Sequence, residues 1–255
     1  MVRLLRTPPP ALDSAVELAD PAVELAVAGA LVRRVSRGEL PDTLRVYRPS
    51  RPVVVFGRRE TRLPGWPEAV RRAREAGFEP LIRAVGGRAV AYTSAALVID
   101  AAVHSAGSPV GLEERFQVFG DLYADVLRGL GVDARVGSVP GEYCPGAQSV
   151  NARGVVKLVG TAQRLVRDAW LFSALVVVAD EQALRPVLAG VYDALDQPLD
   201  VASVGSLTGE VATLDIDTVE AAVLAAHEAQ DTLEPGRLDP STLELADAMA
   251  ADHRP

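Results

Sequence analysis

Strand-like and helix-like segments follow one another in groups rather than in strict alternation, and this order limits the possible folds. A doubly wound nucleotide fold needs regular alternation of strand and helix, so the order excludes it. Grouped strands instead predict an α+β fold, in which helices pack against a mixed, largely antiparallel sheet. With 255 residues, the chain is long enough to bury one large core.

The spacing of apolar residues predicts where the helices and strands lie. The first helix is expected after Asp20 as N-cap, with Pro21 in its first turn and Gly38 at its end. Further helices are predicted at 67–76, 112–130, 180–195 with Pro186 as a kink or break, and 218–230. Strands are predicted at 43–47, 52–57, 79–85, 88–92 and 96–103, and again between 155 and 178. The three short strands over 79–103 have the spacing of an antiparallel meander.

Length and composition predict one main domain over residues 1–230, followed by a C-terminal helical segment or tail over 231–255. The net charge of −8 and the pI near 5 argue against a nucleic-acid-binding surface. No apolar run approaches the roughly 20 residues of a membrane span. The N-terminus lacks the apolar stretch of a secretory peptide. One cysteine, Cys144, excludes an internal disulfide, and three scattered histidines offer no metal site. A cytoplasmic protein is therefore expected.

Lys157 is the one lysine among 26 basic residues, all the others being arginine. Compositional drift can leave a single lysine by chance. The alternative is a site that needs a compact ammonium with three rotatable donors, which a planar guanidinium does not replace.

Two segments carry side chains suited to chemistry. In RAVGGRAV, residues 83–90, Gly86 and Gly87 join two predicted strands beside Arg83. Paired glycines permit positive φ and close backbone approach to a ligand, and an arginine can bind a phosphate or carboxylate. Taken alone, however, a glycine pair between strands is most often a hairpin turn.

The second segment places the cysteine and the lysine close together in sequence. Cys144 lies in the Pro-Gly loop EYCPG, and Lys157 follows after 13 residues, at the start of KLVGTAQR. A free cysteine is often only a small buried apolar residue, but its position in a loop favours exposure. A nearby ammonium would favour the thiolate, which attacks acyl carbonyls.

These segments make the sequence similar to a known superfamily. RAVGGRAV resembles the arginine-plus-glycine signature of lipoate ligases and octanoyl transferases, and KLVGTAQR resembles their lysine, glycine and Ala-Gln-Arg signature. EYCPG resembles the loop of the cysteine-dependent octanoyl transferases and of the amidotransferases that move octanoate between lipoyl-bearing proteins. The order and spacing of the three segments also agree, over residues 40–190. Arg88 stands where the family usually has a third glycine or a small residue.

The resemblance implies a biotin/lipoate protein ligase-like catalytic domain with an acyl tunnel near the glycine pair. It assigns Cys144 as the nucleophile that carries the acyl group and Lys157 as the pocket lysine at the carbonyl. It implies a substrate-binding role for seven further residues, namely Arg83, Gly86, Gly87, Ala89, Gly160, Ala162 and Gln163. From it we expect Lys157 to point into a cleft beside the glycine pair, and Cys144 to lie at the mouth of that cleft.

Three functions follow from the resemblance. The first is transfer of an octanoyl or lipoyl group through a cysteine thioester, without a cofactor, to a lysine of a lipoyl-domain protein. Expected partners are the glycine-cleavage H protein, a 2-oxoacid dehydrogenase E2 or an acyl carrier protein, with no nucleic acid or membrane. The second is an ATP- and Mg-dependent lipoate ligase. The third is a non-catalytic lipoyl-binding protein, which the retained cysteine and lysine argue against.

Overall fold

The computed structural model describes residues 1–6, 20–106 and 111–255, and it confirms the α+β fold. The strands are β1 Val2–Arg6, β2 Thr43–Tyr47, β3 Val53–Gly57, β4 Glu79–Arg83, β5 Val90–Tyr92, β6 Ala96–His104, β7 Ala134–Val136, β8 Val150–Ala152, β9 Val156–Val166, β10 Ala169–Val177 and β11 Leu233–Gly236. The helices are α1 Pro21–Ser36, α2 Trp66–Glu75, α3 Leu112–Gly129, α4 Glu181–Ala194, α5 Leu207–Glu210, α6 Ile216–Glu228 and α7 Pro240–Ala250. Among the described residues, no helix has both the length and the apolar composition that crossing a membrane requires.

An eight-stranded sheet forms the centre of the fold, in the order β11-β1-β2-β6-β10-β9-β8-β7. β1 is parallel to both of its neighbours, whereas the remaining pairs are antiparallel. The register places Arg45, Asp100, Ser173 and Ala162 side by side across β2, β6, β10 and β9. These four residues therefore form one line across the sheet.

The second sheet corrects the predicted meander over residues 79–103. β3 is the centre of a three-stranded sheet, with β4 parallel on one side and β5 antiparallel on the other. The next strand, β6, belongs to the large sheet. Because β4 and β5 do not pair with each other, Gly86 and Gly87 do not form a hairpin turn but cross the end of β3.

Side chains alternate between the two faces of the large sheet, as expected for extended strands. One face packs against α3 and α6 around Leu97, Ile99 and Phe172. The opposite face carries Val98, Asp100 and Ser173 and lies under α1 and the small sheet. A cavity opens on this second face.

Other predicted elements need adjustment at their boundaries. The strand signals over 155–166 belong to one strand, β9, and Pro186 lies within α4 without ending it. The predicted N-cap is confirmed, since the Asp20 carboxylate accepts a hydrogen bond from the amide of Ala22. Residues after 230 form β11, which pairs with β1, and α7, which packs against α1.

Candidate active site

A cavity of about 90 Å³ lies between the large sheet, the small sheet and α1. Its walls are mainly apolar. Charged or reactive residues line it at a few points among the described residues, namely Arg83, Asp100, Cys144, Lys157 and His253, and hydroxyl-bearing residues line it at Tyr47, Tyr92, Thr161 and Ser173. Apolar pockets with a few convergent polar groups are the usual form of a small-molecule site.

The loop after β7 places Cys144 at this cavity in a constrained conformation. Cys144 is partly exposed and has a φ of 42°, in the left-handed region that few non-glycine residues adopt. The Glu142 carboxylate, 1% exposed, holds the loop by accepting hydrogen bonds from the amide of Gly146 and the hydroxyl of Ser149. The loop thus fixes the direction of the thiol.

A β-bulge in β9 turns Lys157 toward the same cavity. Adjacent residues Val150 and Asn151 of β8 pair with Val159 and Lys157, so Leu158 is an extra residue in β9. The extra residue shifts the alternation of side chains, and Leu158 and Val159 both enter the core on the far face of the sheet. Lys157 therefore lies on the cavity side together with Gly160, although three positions separate them.

Lys157 is only 2% exposed, and its ammonium contacts the cysteine loop. Nζ donates hydrogen bonds to the carbonyl oxygens of Tyr143, at 3.1 Å, and Cys144, at 2.7 Å. It lies 3.6 Å from a carboxylate oxygen of Glu142. Lys157 and Cys144 lie 13 residues apart in sequence, and in the structure the lysine ammonium directly contacts the backbone carbonyl of the cysteine.

The glycine junction lies against the thiol. Cys144 Sγ accepts hydrogen bonds from Arg83 Nη2 at 3.2 Å and from the backbone amide of Arg88 at 3.3 Å. Gly87 has a φ of 113°, and a Cβ at this position would lie 2.2 Å from Arg83 Nη2 and 2.8 Å from Sγ. A side chain at Gly87 is therefore excluded by both strain and lack of space. A Cβ on Gly86 would meet no atom within 4 Å.

Two buried side chains that the sequence did not indicate hold the backbone next to the glycine junction, and one of them, Tyr192, also bonds to the cysteine loop. The Tyr192 hydroxyl accepts a hydrogen bond of 2.6 Å from the amide of Cys144 and donates one of 3.0 Å to the carbonyl of Ala89. The Glu60 carboxylate accepts from the amides of Gly57 and Ala89. Tyr192 and Glu60 lie far from both motifs in sequence, so no local pattern identifies them.

The surroundings of Cys144 favour its thiolate. Burial by itself would raise the pKa of the thiol. The positive charges of Arg83 and Lys157 and the two hydrogen bonds to Sγ outweigh burial, and the pKa of Cys144 lies below its usual value. Burial also lowers the pKa of Lys157, while Cys144 and Glu142 favour its charged form.

The lowered thiol pKa predicts the pH dependence of Cys144 alkylation. Because iodoacetamide reacts with the thiolate, the rate should reach half its plateau at a pH below that of a free cysteine. Replacing Arg83 with methionine removes a cation and a hydrogen bond from Sγ, so this midpoint should move to higher pH. For each variant, the alkylation is quenched at intervals over a range of pH, and intact mass gives the alkylated fraction and so the dependence of the rate on pH. An Arg71→Met variant, altered at a surface ion pair, is the matched control and should match the wild type. An unchanged midpoint in Arg83→Met would contradict this electrostatic account.

Removing the Tyr192 hydroxyl should loosen the cysteine loop. Tyr192→Phe leaves the amide of Cys144 and the carbonyl of Ala89 without this partner, at an expected loss of about 1–3 kcal/mol in the free energy of unfolding. Thermal unfolding measures that loss, and hydrogen exchange at Cys144 should become faster. Tyr123→Phe is the control, because it removes a buried hydroxyl that contacts His227 on the other face of the sheet. Equal exchange at Cys144 in both variants would rule out a specific link through Tyr192.

The structure brings most of the predicted site residues to one place. Arg83, Gly160 and Ala162 line the cavity together with Cys144 and Lys157. Ala89 is buried behind it, where Glu60 and Tyr192 hold its backbone. The side chain of Gln163 is not brought to the cavity. It contacts the carbonyl of Leu112 and the guanidinium of Arg115 on the opposite side of β9.

Known proteins with similar sequences are octanoyl transferases. A protein from Geobacillus kaustophilus, named octanoyl-GcvH:protein N-octanoyltransferase, is 29% identical over 150 residues, which are 59% of this chain and 52% of that protein. The protein of the same name from Anoxybacillus flavithermus is 25% identical over 227 residues, which are 86% of this chain and 80% of its own length. The chain spans about half the length of most of the curated relatives that it matches.

The fold is similar to that of solved lipoate ligases. The crystal structure of lipoate-protein ligase A bound with ATP superposes with a TM-score of 0.75 and 21% identity, covering 98% of this chain and 93% of the other. The family described as lipoyl protein ligase A/B catalytic domain matches residues 20–228. This match covers the small sheet, six of the eight strands of the large sheet, and every element that contributes Arg83, Cys144 and Lys157. The chain belongs to the lipoyl protein ligase A/B catalytic domain family.

Proposed function

We propose that this protein is an acyltransferase that moves an octanoyl or lipoyl group through a thioester on Cys144 to a lysine of a lipoyl-domain protein. One observation carries the proposal. A partly exposed thiol with a lowered pKa lies at a largely apolar cavity, within hydrogen-bonding distance of Arg83 and the amide of Arg88. The buried ammonium of Lys157 lies against the same loop. This arrangement suits covalent catalysis on an acyl carbonyl.

The reaction divides into two acyl exchanges. In the first, the thiolate of Cys144 attacks the carbonyl carbon of the acylated donor, the C–S bond forms, and the bond to the donor breaks as the leaving atom takes up a proton from solvent. In the second, the neutral amine of an acceptor lysine attacks the carbonyl carbon of the thioester, the C–N bond forms and the C–S bond breaks, the nitrogen loses one proton to solvent, and the thiolate of Cys144 is released. Lys157 stabilises the negative charge that develops on the carbonyl oxygen in both steps.

The names of the relatives support this choice of partners. They are called octanoyl-GcvH:protein N-octanoyltransferases, so we propose the glycine-cleavage H protein as acyl donor. We propose a 2-oxoacid dehydrogenase E2 lipoyl domain as acceptor, with an acyl carrier protein as the other candidate donor. The proposed reaction uses no cofactor, because each step replaces one acyl bond with another: the bond to the donor gives way to the Cys144 thioester, and the thioester gives way to the amide of the acceptor. The cytoplasm, where a single thiol stays reduced, is the proposed compartment.

An ATP-dependent lipoate ligase is the runner-up, because the structural neighbour with a TM-score of 0.75 was crystallised with ATP. In a ligase, ATP and Mg would activate free acid as an acyl adenylate, Lys157 would contact its carbonyl and phosphate, and Cys144 would not become acylated. The hydrogen bonds from Arg83 and the amide of Arg88 to the Cys144 thiol would have no part in that reaction. We therefore rank the transferase first.

Intact-mass measurement separates the two reactions. The purified protein is incubated with octanoyl-glycine-cleavage H protein, or with octanoyl-acyl carrier protein, in the absence of ATP. The transferase should gain the mass of one octanoyl group, removable by hydroxylamine, and pass it to an E2 lipoyl domain. If octanoate reaches the lipoyl domain only with free acid and ATP, and pyrophosphate is released, the protein is a ligase.

A further inference from the structure

Four arginines lie near the glycine junction that contacts Cys144, and the proposed reaction uses none of their side chains. They are Arg33 on α1, Arg58 directly after β3, Arg88 at the end of the junction and Arg164 on β9, and together they are called the arginine rim. Arg58 is exposed, and the other three residues are partly exposed. Because the chain has a net charge of −8, this local group of positive charges requires an explanation.

Arg58 and Arg88 lie next to the glycine pair beside the thiol. Gly57, the residue before Arg58, packs so closely against the junction that a Cβ on it would lie 1.9 Å from the carbonyl oxygen of Gly87. The backbone amide of Arg88 bonds to Cys144 Sγ at 3.3 Å. Both arginine side chains therefore begin at the junction, on the side of the cavity where the cysteine lies.

Arg33 and Arg164 extend the rim along the cavity. Arg164 Nη1 donates a hydrogen bond of 3.3 Å to the carbonyl oxygen of Ala84, which lines the cavity. Arg33 lies one helical turn after Gly29 of the cavity wall, on the same face of α1. Burial lowers the pKa of Arg164, and the nearby charges of Arg33 and Arg58 lower it further. The positive charges of the rim therefore act on one another.

The arginine rim lacks ion-pair partners, since no carboxylate of the described residues pairs with any of its guanidinium groups. Glu60, close to the rim in sequence, is 3% exposed, and its carboxylate instead accepts from the amides of Gly57 and Ala89. Most other arginines in the described part of the chain are paired, as Arg71 is with Glu68. Like charges that lie together repel one another, so the rim favours the approach of an anionic partner.

The distribution of charge indicates the kind of anion. A long polyanion such as nucleic acid would extend beyond the rim onto a chain with excess negative charge. A compact acidic face on a protein can be matched by the rim alone, and the repulsion elsewhere orients its approach. In the proposed reaction the acyl group arrives on a protein side chain, so that protein must lie over the cavity for the acyl carbonyl to reach Cys144. Its surface would then lie against the rim.

We propose that the arginine rim is the docking surface for the protein that carries the acyl group, and that this protein presents carboxylates around its acyl-bearing lysine. The inference rests on the acyl transfer proposed above. Guanidinium groups form charge-assisted, often bidentate hydrogen bonds with carboxylates, so acidic residues of the partner would supply the missing ion pairs. Charges at the edge of an interface act mainly on the association rate and its salt dependence. The rim therefore selects and orients the partner and takes no part in the bond exchanges.

Charge reversal at the rim tests the inference on the whole protein. Arg33→Glu and Arg58→Glu are combined, since both side chains reach solvent and neither bonds to Cys144. Intact mass follows the acylation of Cys144 by two donors, octanoyl-glycine-cleavage H protein and octanoyl-pantetheine, which has no protein surface. We expect the second-order rate constant to fall at least about tenfold with the protein donor and less than about twofold with the small donor, because steering by charge contributes about 10- to 10³-fold to association.

Arg51→Glu combined with Arg74→Glu is the matched control. Both arginines are exposed, without an ion pair to any described residue, and neither lines the cavity, so the control makes the same change in net charge elsewhere. It should acylate within about twofold of the wild-type rate with both donors, because distant exposed charges are screened. Raising the salt concentration from about 20 mM to about 500 mM should slow acylation of the wild type by the protein donor and affect the rim variant less.

The docking surface would be wrong if the rim variant showed no loss with the protein donor, if it lost equally with both donors, or if the control lost as much. A loss of similar size with octanoyl-phosphopantetheine would assign the rim to a phosphate group and also overturn the inference. If no donor acylates Cys144 in the wild type, the proposed function fails. Titration with the H protein then still tests the rim, because weaker binding by the rim variant than by the control supports the surface and equal binding refutes it.

Discussion

Cys144→Ala should abolish the covalent acyl intermediate and reduce acyl transfer by at least about 10³-fold, the scale of losses when a covalent nucleophile is removed. A methyl group cannot form a thioester. The substitution is small, and the loop is held by Glu142 and by Tyr192, which contacts the backbone of residue 144 rather than its thiol. The loss should therefore reflect chemistry and not unfolding. Transfer to a lipoyl domain and the mass of the protein after incubation with donor are measured together.

Cys144→Ser is the companion variant. It keeps a hydroxyl near Arg83 and the amide of Arg88, but an alcohol has a far higher pKa than a thiol and no strong base is adjacent in the described site. Only a trace of transfer should remain. If Cys144→Ala transferred octanoate at the wild-type rate, the thioester mechanism would be wrong and the ligase reaction would take its place.

Lys157→Arg should lower transfer by at least about 10²-fold even though the positive charge is kept, since losing one electrostatic donor at a developing oxyanion has an effect of this size. The side chain of Lys157 is enclosed. Its Cε lies only 3.3 Å from the position that a Cβ on Gly160 would take, and its Nζ bonds to the carbonyl oxygens of Tyr143 and Cys144. A planar guanidinium is larger and cannot direct donors to both carbonyls from this position.

Stability and activity can be separated at this position. Lys157→Met leaves the buried carboxylate of Glu142 without its cation, which should cost about 3–5 kcal/mol in the free energy of unfolding. Adding Glu142→Gln removes the unpaired charge and keeps an acceptor for Gly146 and Ser149, so the melting temperature should recover. Activity should not recover. Wild-type transfer by the double variant would show that Lys157 only stabilises the loop.

Local patterns in the sequence predict many of the elements, and the proximity of Cys144 to Lys157, because the relevant residues are close in the chain. Turn residues around Cys144 and the strand that begins near Lys157 bring the two together over 13 positions. The helix beginning at Asp20 was predictable for the same reason, since its cap is a contact between near neighbours. Short separations restrict the possible geometries, so motif spacing carries structural information there.

Contacts between distant residues were not predictable in this way. The parallel pairing of β4 with β3, the link from Tyr192 to Cys144 and the register of Arg45 with Asp100 each depend on how separate elements pack. The face of Gln163 relative to that of Lys157 depends on the bulge at Leu158, since one extra residue exchanges the two faces of a strand between the residues before it and the residues after it. A pattern of apolar residues does not show which side of a sheet will face a cavity.

The bulge in β9 also restricts how genes for this protein can change in length. Lys157 and Gly160 share a face only because Leu158 adds one residue between them. Deleting a single codon at this point would restore regular alternation and turn the lysine into the opposite core, whereas exchanging Leu158 for another apolar residue would keep the geometry. The segment should therefore accept substitutions but reject single-residue insertions and deletions, so that natural variants keep the interval between the lysine and the glycine even where the residues within it differ.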